Sequence, residues 1–158
     1  MTAEPQAQPE VSAPPRQRGP RPSLVWYVAP AAAYLPYIFF EGTRDEPTTP
    51  LDVSDKTAHF VAFGLMVPLF TRALRYFWPA APRGRLILAA AALASLAGAL
   101  LEFWQSFLPF RTAEWLDWVA DTVGAVAAAV LVGVGWRLFR EVRDRARART
   151  PNASGSGA

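Results

Sequence analysis

Residues 86–101 read LILAAAALASLAGALL. The run carries no charge, and Ser95 is its only polar side chain. A surface helix of a water-soluble protein shows a polar stripe at helical spacing, and this run has none. In water it would need burial on every side. A chain of 158 residues cannot provide that for several such helices. Lipid removes the difficulty. About 20 mostly apolar residues span a bilayer, and the run reaches that length when extended to about Leu108.

Three further segments behave in the same way. They are LVWYVAPAAAYLPYIFF at 24–40, the stretch from about Ala58 to Trp78 that contains HFVAFGLMVPLF, and WLDWVADTVGAVAAAVLVGVGWRLF at 115–139. Flanking aromatics and snorkelling arginines complete the shorter ones. The small residues of Ala29-Pro30-Ala31 and Ala31-Ala32-Ala33 resemble a signal-peptide cleavage site. They lie inside the apolar run, which continues through Tyr34–Phe40, so the segment reads as an uncleaved first helix. The predicted fold class is all-α, a four-helix transmembrane bundle.

Apolar residues make up 52% of the chain, concentrated between 24 and 139. The flanks are rich in Pro, Arg, Ser and Gly and lack the apolar content to fold. The expected organisation is a disordered N-terminal tail at 1–23, a membrane domain at 24–142 and a disordered basic C-terminal tail at 143–158. With no Cys, disulfides and thiolate metal sites are excluded.

Charge distribution sets an expected orientation. Thirteen of the sixteen Lys and Arg residues fall on one side of the predicted spans. They are Arg16, Arg18 and Arg21 before the first helix, Arg72, Arg75, Arg83 and Arg85 between the second and third, and Arg137, Arg140, Arg143, Arg145, Arg147 and Arg149 at the end. Arg44, Lys56 and Arg111 lie on the other side. Positive loops stay inside, so both termini are expected in the cytoplasm and the loops at 41–55 and 109–114 outside. The basic tail then faces anionic lipid rather than nucleic acid. The sequon Asn152-Ala153-Ser154 would be inert there.

Small residues recur every four positions at Ala90, Ala94 and Gly98, and at Ala120, Gly124 and Ala128. This spacing permits close backbone approach between lipid-embedded helices. Pro36 and Pro68 are candidate kinks.

Polar groups gather where the second helix begins, the third ends and the fourth begins. Asp55, Lys56 and His59 open the second, with Asp55 and His59 four apart and so on one face. Glu102 and Gln105 close the third. Arg111 and Glu114 follow in the loop, and Asp117 and Asp121 open the fourth. Ionisable groups at membrane depth are expensive and face the bundle interior. The expected result is one outward-facing polar pocket walled by Phe60, Phe103, Trp104, Trp115 and Trp118. The blander readings are helix caps or first-turn acids for Asp55 and Asp117, an interfacial anchor for Lys56 and a core histidine for His59. Glu102 sits at a helix C-terminus, where the dipole disfavours an anion. It needs a partner from among Arg111, Lys56 and His59.

These residues resemble the VanZ-like family of small bacterial membrane proteins, associated with teicoplanin resistance. The resemblance rests on Asp55-Lys56-Thr57-Ala58-His59-Phe60, on Glu102-Phe103-Trp104-Gln105, and on Arg111 with Asp117 through Asp121 to Gly124. It spans about 51–139, with the first helix agreeing by position. The family pattern has Asn where this chain has Asp121, which adds a carboxyl that must be protonated or neutralised by Arg111 or Lys56. The resemblance implies a multi-pass protein of the bacterial cytoplasmic membrane and a link to glycopeptide susceptibility. No reaction comes with it.

Three functions fit. In the leading one, Asp55, Lys56, His59, Glu102, Gln105, Arg111, Asp117 and Asp121 bind a lipid headgroup, a lipid-linked cell-wall precursor or an amphiphilic glycopeptide. Lys56 and Arg111 would contact phosphate or carboxylate. In the second, a membrane-embedded hydrolase or transferase uses His59, oriented by Asp55 or Asp117, with Glu102 as proton partner. Its metal-dependent form would ligate through His59, Glu102, Asp117 and Asp121. In the third, the polar groups only fix helix register for a scaffold. The leading reading takes no metal or cofactor. Its partners are membrane lipids, with homo-oligomer formation left open.

Overall fold

Each apolar segment becomes one helix in the computed structural model, which describes residues 23–45 and 54–149. The helices are α1 (Leu24–Gly42), α2 (Asp55–Phe77), α3 (Arg83–Gln105) and α4 (Trp115–Arg149). All four are long and apolar enough to cross a membrane. The described residues include no strand.

The helix ends follow local chemistry. Ser54 caps α2: the Thr57 amide donates to its Oγ at 3.4 Å, which starts the helix three residues before the apolar run. Asp55 is therefore a first-turn acid rather than the cap. Pro82, whose ring presets a helical start, precedes α3. The largest departure from expectation is at the C-terminus. Residues 143–149, expected within a disordered tail, continue α4 as helix. The segment's Arg and Ala are strong helix formers, and elongating a helix that already exists costs far less than starting one. The tails at 1–22 and 150–158, with the sequon, lie outside the described residues.

Helices α2, α3 and α4 pack against one another, while α1 lies mainly on α2 and touches α3 lightly. The core is Phe63, Met66 and Val67 of α2, Ala90, Ala94, Ala97 and Leu101 of α3, and Ala125 of α4. Large apolar side chains face outward around this core, among them Leu88 at 70% and Leu131 at 72% exposure. Water would penalise that surface, and lipid accepts it. Helices α1 and α2 run on through Pro30, Pro36 and Pro68.

Two of the small residues set the geometry. At Gly124 a Cβ would meet the Phe60 backbone, with its carbonyl carbon at 2.8 Å and its Cα at 3.0 Å. The main chains of α2 and α4 are thus in contact. At Gly98 a Cβ would collide with the Asp121 side chain, whose Cγ lies 2.9 Å away. That glycine makes room on α3 for a carboxyl of α4. Ser95 Oγ and Thr122 Oγ1, 2.7 Å apart, bridge α3 and α4 nearby. The Tyr34 hydroxyl donates to the Ala62 carbonyl at 3.1 Å and ties α1 to α2.

Gly124→Ala is expected to destabilise the folded chain by about 1–3 kcal/mol, the usual range for overpacking. Gly133→Ala, at a position open to its surroundings, is expected to be neutral or slightly stabilising. Unfolding in mixed micelles followed by circular dichroism compares the two. Equal stability of both variants would show that the α2–α4 contact does not hold the bundle.

Candidate functional site

The polar residues of α2, α3, α4 and the 106–114 loop do meet at one end of the bundle. They form two layers rather than one pocket, and His59 belongs to both.

The inner layer is buried. His59 Nδ1 lies 2.9 Å from Asp121 Oδ1, with side-chain exposures of 11% and 0%. The Phe60–Gly124 backbone contact positions this pair, because His59 precedes Phe60 and Asp121 lies almost one turn before Gly124. His59 thus supplies the contact expected from Arg111 or Lys56, and Asp121 orients His59 in place of Asp55 or Asp117. The other Asp121 oxygen, Oδ2, is buried against Gly98 without a hydrogen-bond partner among the described residues. Glu102 is also buried, at 8% exposure. Its Oε2 accepts the Glu114 backbone amide at 3.0 Å, and its Oε1 is unpartnered among the described residues. The partner of Glu102 is therefore a main-chain N–H rather than Arg111, Lys56 or His59. A loop amide beside the helix terminus offsets the unfavourable dipole at that carboxyl.

Lys56 closes the layer from above. Its Nζ donates to Glu114 Oε2 at 2.8 Å and lies 3.2 Å from Oδ1 of buried Asp117. Glu114 had no place among the expected binding residues. A Lys at the start of one helix and a Glu just before the next were its only sequence signal.

The outer layer is a cleft of about 170 Å³ between α1, α2, α3 and the loop. Asp55, His59, Gln105 and Arg111 line its polar part, with Glu41 added from α1. Ile38, Phe63 and Leu101 form its apolar surface. Gln105 Nε2 donates to the Gly42 carbonyl at 2.7 Å, and Arg111 Nε donates to the Arg44 carbonyl at 3.2 Å. The first carbonyl ends α1 and the second lies two residues beyond it, and both Gln105 and Arg111 line the cleft. The expected aromatic walls are elsewhere. Phe60, Phe103, Trp104, Trp115 and Trp118 are all exposed on the outside of the bundle. Trp118 Nε1 donates to the Ser95 carbonyl at 3.2 Å. Amphipathic rings at this level suit the membrane interface, and the cleft takes its aromatic lining from Tyr37 and Phe63.

Chemically, the arrangement offers a histidine–carboxylate pair, a basic group beside an apolar surface, and a carboxylate-rich ceiling. Among the described residues, the side chains able to share one cation are Asp55, His59 and Asp117, with one ligand atom of each within 4.8 Å of the others. They replace the expected set of His59, Glu102, Asp117 and Asp121. The Lys56 ammonium already sits on Asp117.

The VanZ/LLP1 family model matches residues 17–138, which include the first helix. No curated protein and no solved structure matches the chain.

Two outcomes follow from the geometry. Asp121→Asn keeps an oxygen for His59 and is expected to fold with little loss, whereas Asp121→Ala leaves His59 unpaired and costs about 1–3 kcal/mol. Unfolding in mixed micelles ranks them, and an Ala variant as stable as wild type would show that the pair does not hold the helices. Glu114 lies outside the spans. The Lys56 hydrogen bond, reinforced by its charge, holds the Glu114 carboxyl below the usual glutamate range. A carboxyl with a depressed folded pKa contributes stability above its unfolded value, lost as pH falls through the folded value. Lys56→Met is therefore expected to raise the Glu114 pKa towards that of a free glutamate, measured by titrating a ¹³C-labelled side chain. An unchanged titration would remove the ion pair from the account.

Proposed function

We propose that this chain, which belongs to the VanZ/LLP1 family and is a multi-pass membrane protein, binds the anionic headgroup of an amphiphile in the cleft lined by His59 and Arg111. The observation that carries the reading is the setting of Arg111. Its Nε is engaged by a backbone carbonyl, it makes no ion pair with a carboxylate of the described residues, and it lines a cleft floored by Ile38, Phe63 and Leu101. A guanidinium held this way presents donors matched to phosphate or carboxylate. The apolar surface beside it suits the first carbons of a chain. At about 170 Å³ the cleft is smaller than typical drug-sized sites, so it takes a headgroup and leaves the rest of the amphiphile outside.

The distribution of Lys and Arg supports an orientation with this end outside the cytoplasmic membrane of a bacterium. Lipid-linked cell-wall precursors, phospholipids and amphiphilic glycopeptides all present anionic groups on that face. Altered teicoplanin susceptibility would follow from occupancy of the site. The His59–Asp121 pair at 2.9 Å favours a second reading, a hydrolase or transferase in which Asp121 orients His59 as base.

The two readings separate by substitution in cells at matched protein levels. Under the binding reading, Arg111→Gln returns teicoplanin susceptibility to that of cells lacking the chain, while His59→Gln retains most of the effect. Loss with His59→Gln and a silent Arg111→Gln would overturn binding in favour of catalysis. A wild-type chain that leaves susceptibility unchanged would remove the glycopeptide link.

A further inference from the structure

The opposite end of the bundle has a different character. There the end of α2, the turn before α3 and the side of α4 enclose an open bowl of about 490 Å³. Arg75, Arg83, Arg140 and Arg143 line it together with Trp136, and no carboxylate of the described residues does. The Arg83 guanidinium stacks on Trp136, its Cζ 3.0 Å from the ring centroid. Arg75 Nη1 donates to the Ala81 carbonyl at 3.0 Å, and Arg143 Nε lies 3.6 Å from exposed Asp144. A guanidinium has five N–H donors, so these contacts leave most of the donor capacity of the bowl unused. The other three arginines are close enough to repel Arg83. An anion among them would turn that repulsion into attraction.

A second groove, of about 270 Å³, shares Arg75, Arg83 and Trp136 with the bowl and continues it along Leu86, Ile87 and Val132. Thr71 also lines this groove, and its hydroxyl is buried without a hydrogen-bond partner among the described residues. A helical threonine would ordinarily donate to the carbonyl one turn back. Here the donor is left over, at the junction between a cationic bowl and an apolar slot.

We propose that bowl and groove together bind one anionic phospholipid. Its phosphate sits among the four arginines, an ester carbonyl accepts from Thr71, and an acyl chain lies along Leu86, Ile87 and Val132. Free phosphate would account for the bowl alone. The adjoining apolar groove and the unused hydroxyl select an amphiphile. This site is separate from the cleft at the polar end and independent of what that cleft binds.

The test places the full chain in phosphatidylcholine nanodiscs carrying a minor fraction of lipid with brominated acyl chains, which quench tryptophan on contact. Brominated phosphatidylglycerol is expected to quench more than brominated phosphatidylcholine, and Trp136→Phe is expected to remove the excess. The double variant Arg140→Gln/Arg143→Gln lowers the preference about 10-fold or more, since each surface arginine contributes a several-fold factor. Arg85→Gln, an exposed charge outside the bowl, leaves the preference unchanged. Thr71→Val weakens it without touching the charge. Equal quenching by the two lipids overturns the proposal whatever the variants do. Thermal stabilisation of the detergent-solubilised chain by inorganic phosphate as strong as that by phosphatidylglycerol overturns the lipid assignment and gives the bowl to the free ion.

Discussion

Everything at the polar end depends on how closely α2 and α4 approach. Gly124 lets the Phe60 backbone come to where a side chain would otherwise stand. Once the main chains touch there, the neighbouring side chains have no freedom to avoid each other, and His59 meets Asp121 at 2.9 Å. The glycine contact and the polar pair act as one device. Lipid supplies no hydrophobic force between helices, so close packing and hydrogen bonds must hold them. Close packing alone tolerates a slip along the helix axis. The pair does not, because a slip of one turn would leave two buried polar groups unpartnered. Gly98 completes the arrangement by accepting the far side of the Asp121 carboxyl on α3.

The layering then separates two tasks usually assigned to one cluster. Asp121 and Glu102 are buried and engaged by a side chain and a backbone amide. They fix the helices and the loop. Asp55, Gln105 and Arg111 line the cleft. His59 links the two layers, with one nitrogen on Asp121 and its side chain in the lining of the cleft.

Much of this was legible in the sequence, and the reason differs from feature to feature. The helices follow from apolar runs too long and too uniform for water. That Asp121 and Glu102 lie inward follows from the cost of charge at membrane depth. Partners were harder to read. Glu102 pairs with a backbone amide, and every residue but proline carries one, so composition gives no signal. Arg111 goes to a carbonyl at the end of α1 rather than to a carboxylate, because the loop path decides what a long side chain can reach. The misplaced aromatic walls have the same origin. Phe103, Trp104 and Trp115 lie at the right depth, but helix rotation turns them to the outside, and depth alone does not fix rotation. The extension of α4 through 143–149 was missed because its composition reads as a polar tail, while a helix already formed carries such residues along.

The two ends of the bundle handle charge in opposite ways, for one electrostatic reason. At the polar end the buried carboxylates sit beside low-dielectric surroundings, where an unpaired charge is costly. Three of the carboxyls there have a partner side chain, His59 for Asp121 and Lys56 for Asp117 and Glu114, and Glu102 is met by a backbone amide. The arginine end gathers Arg75, Arg83, Arg140 and Arg143 around an open bowl with no carboxylate of the described residues in its lining. Such a group is tolerable only where solvent or an external anion supplies the opposite charge. The proposed phospholipid would do so, because the phosphate layer lies at the depth where helices of about 20 residues end. Charge is met within the chain at one end and left to the surroundings at the other, and between them the buried core of Phe63, Met66, Val67 and Leu101 packs the helices together.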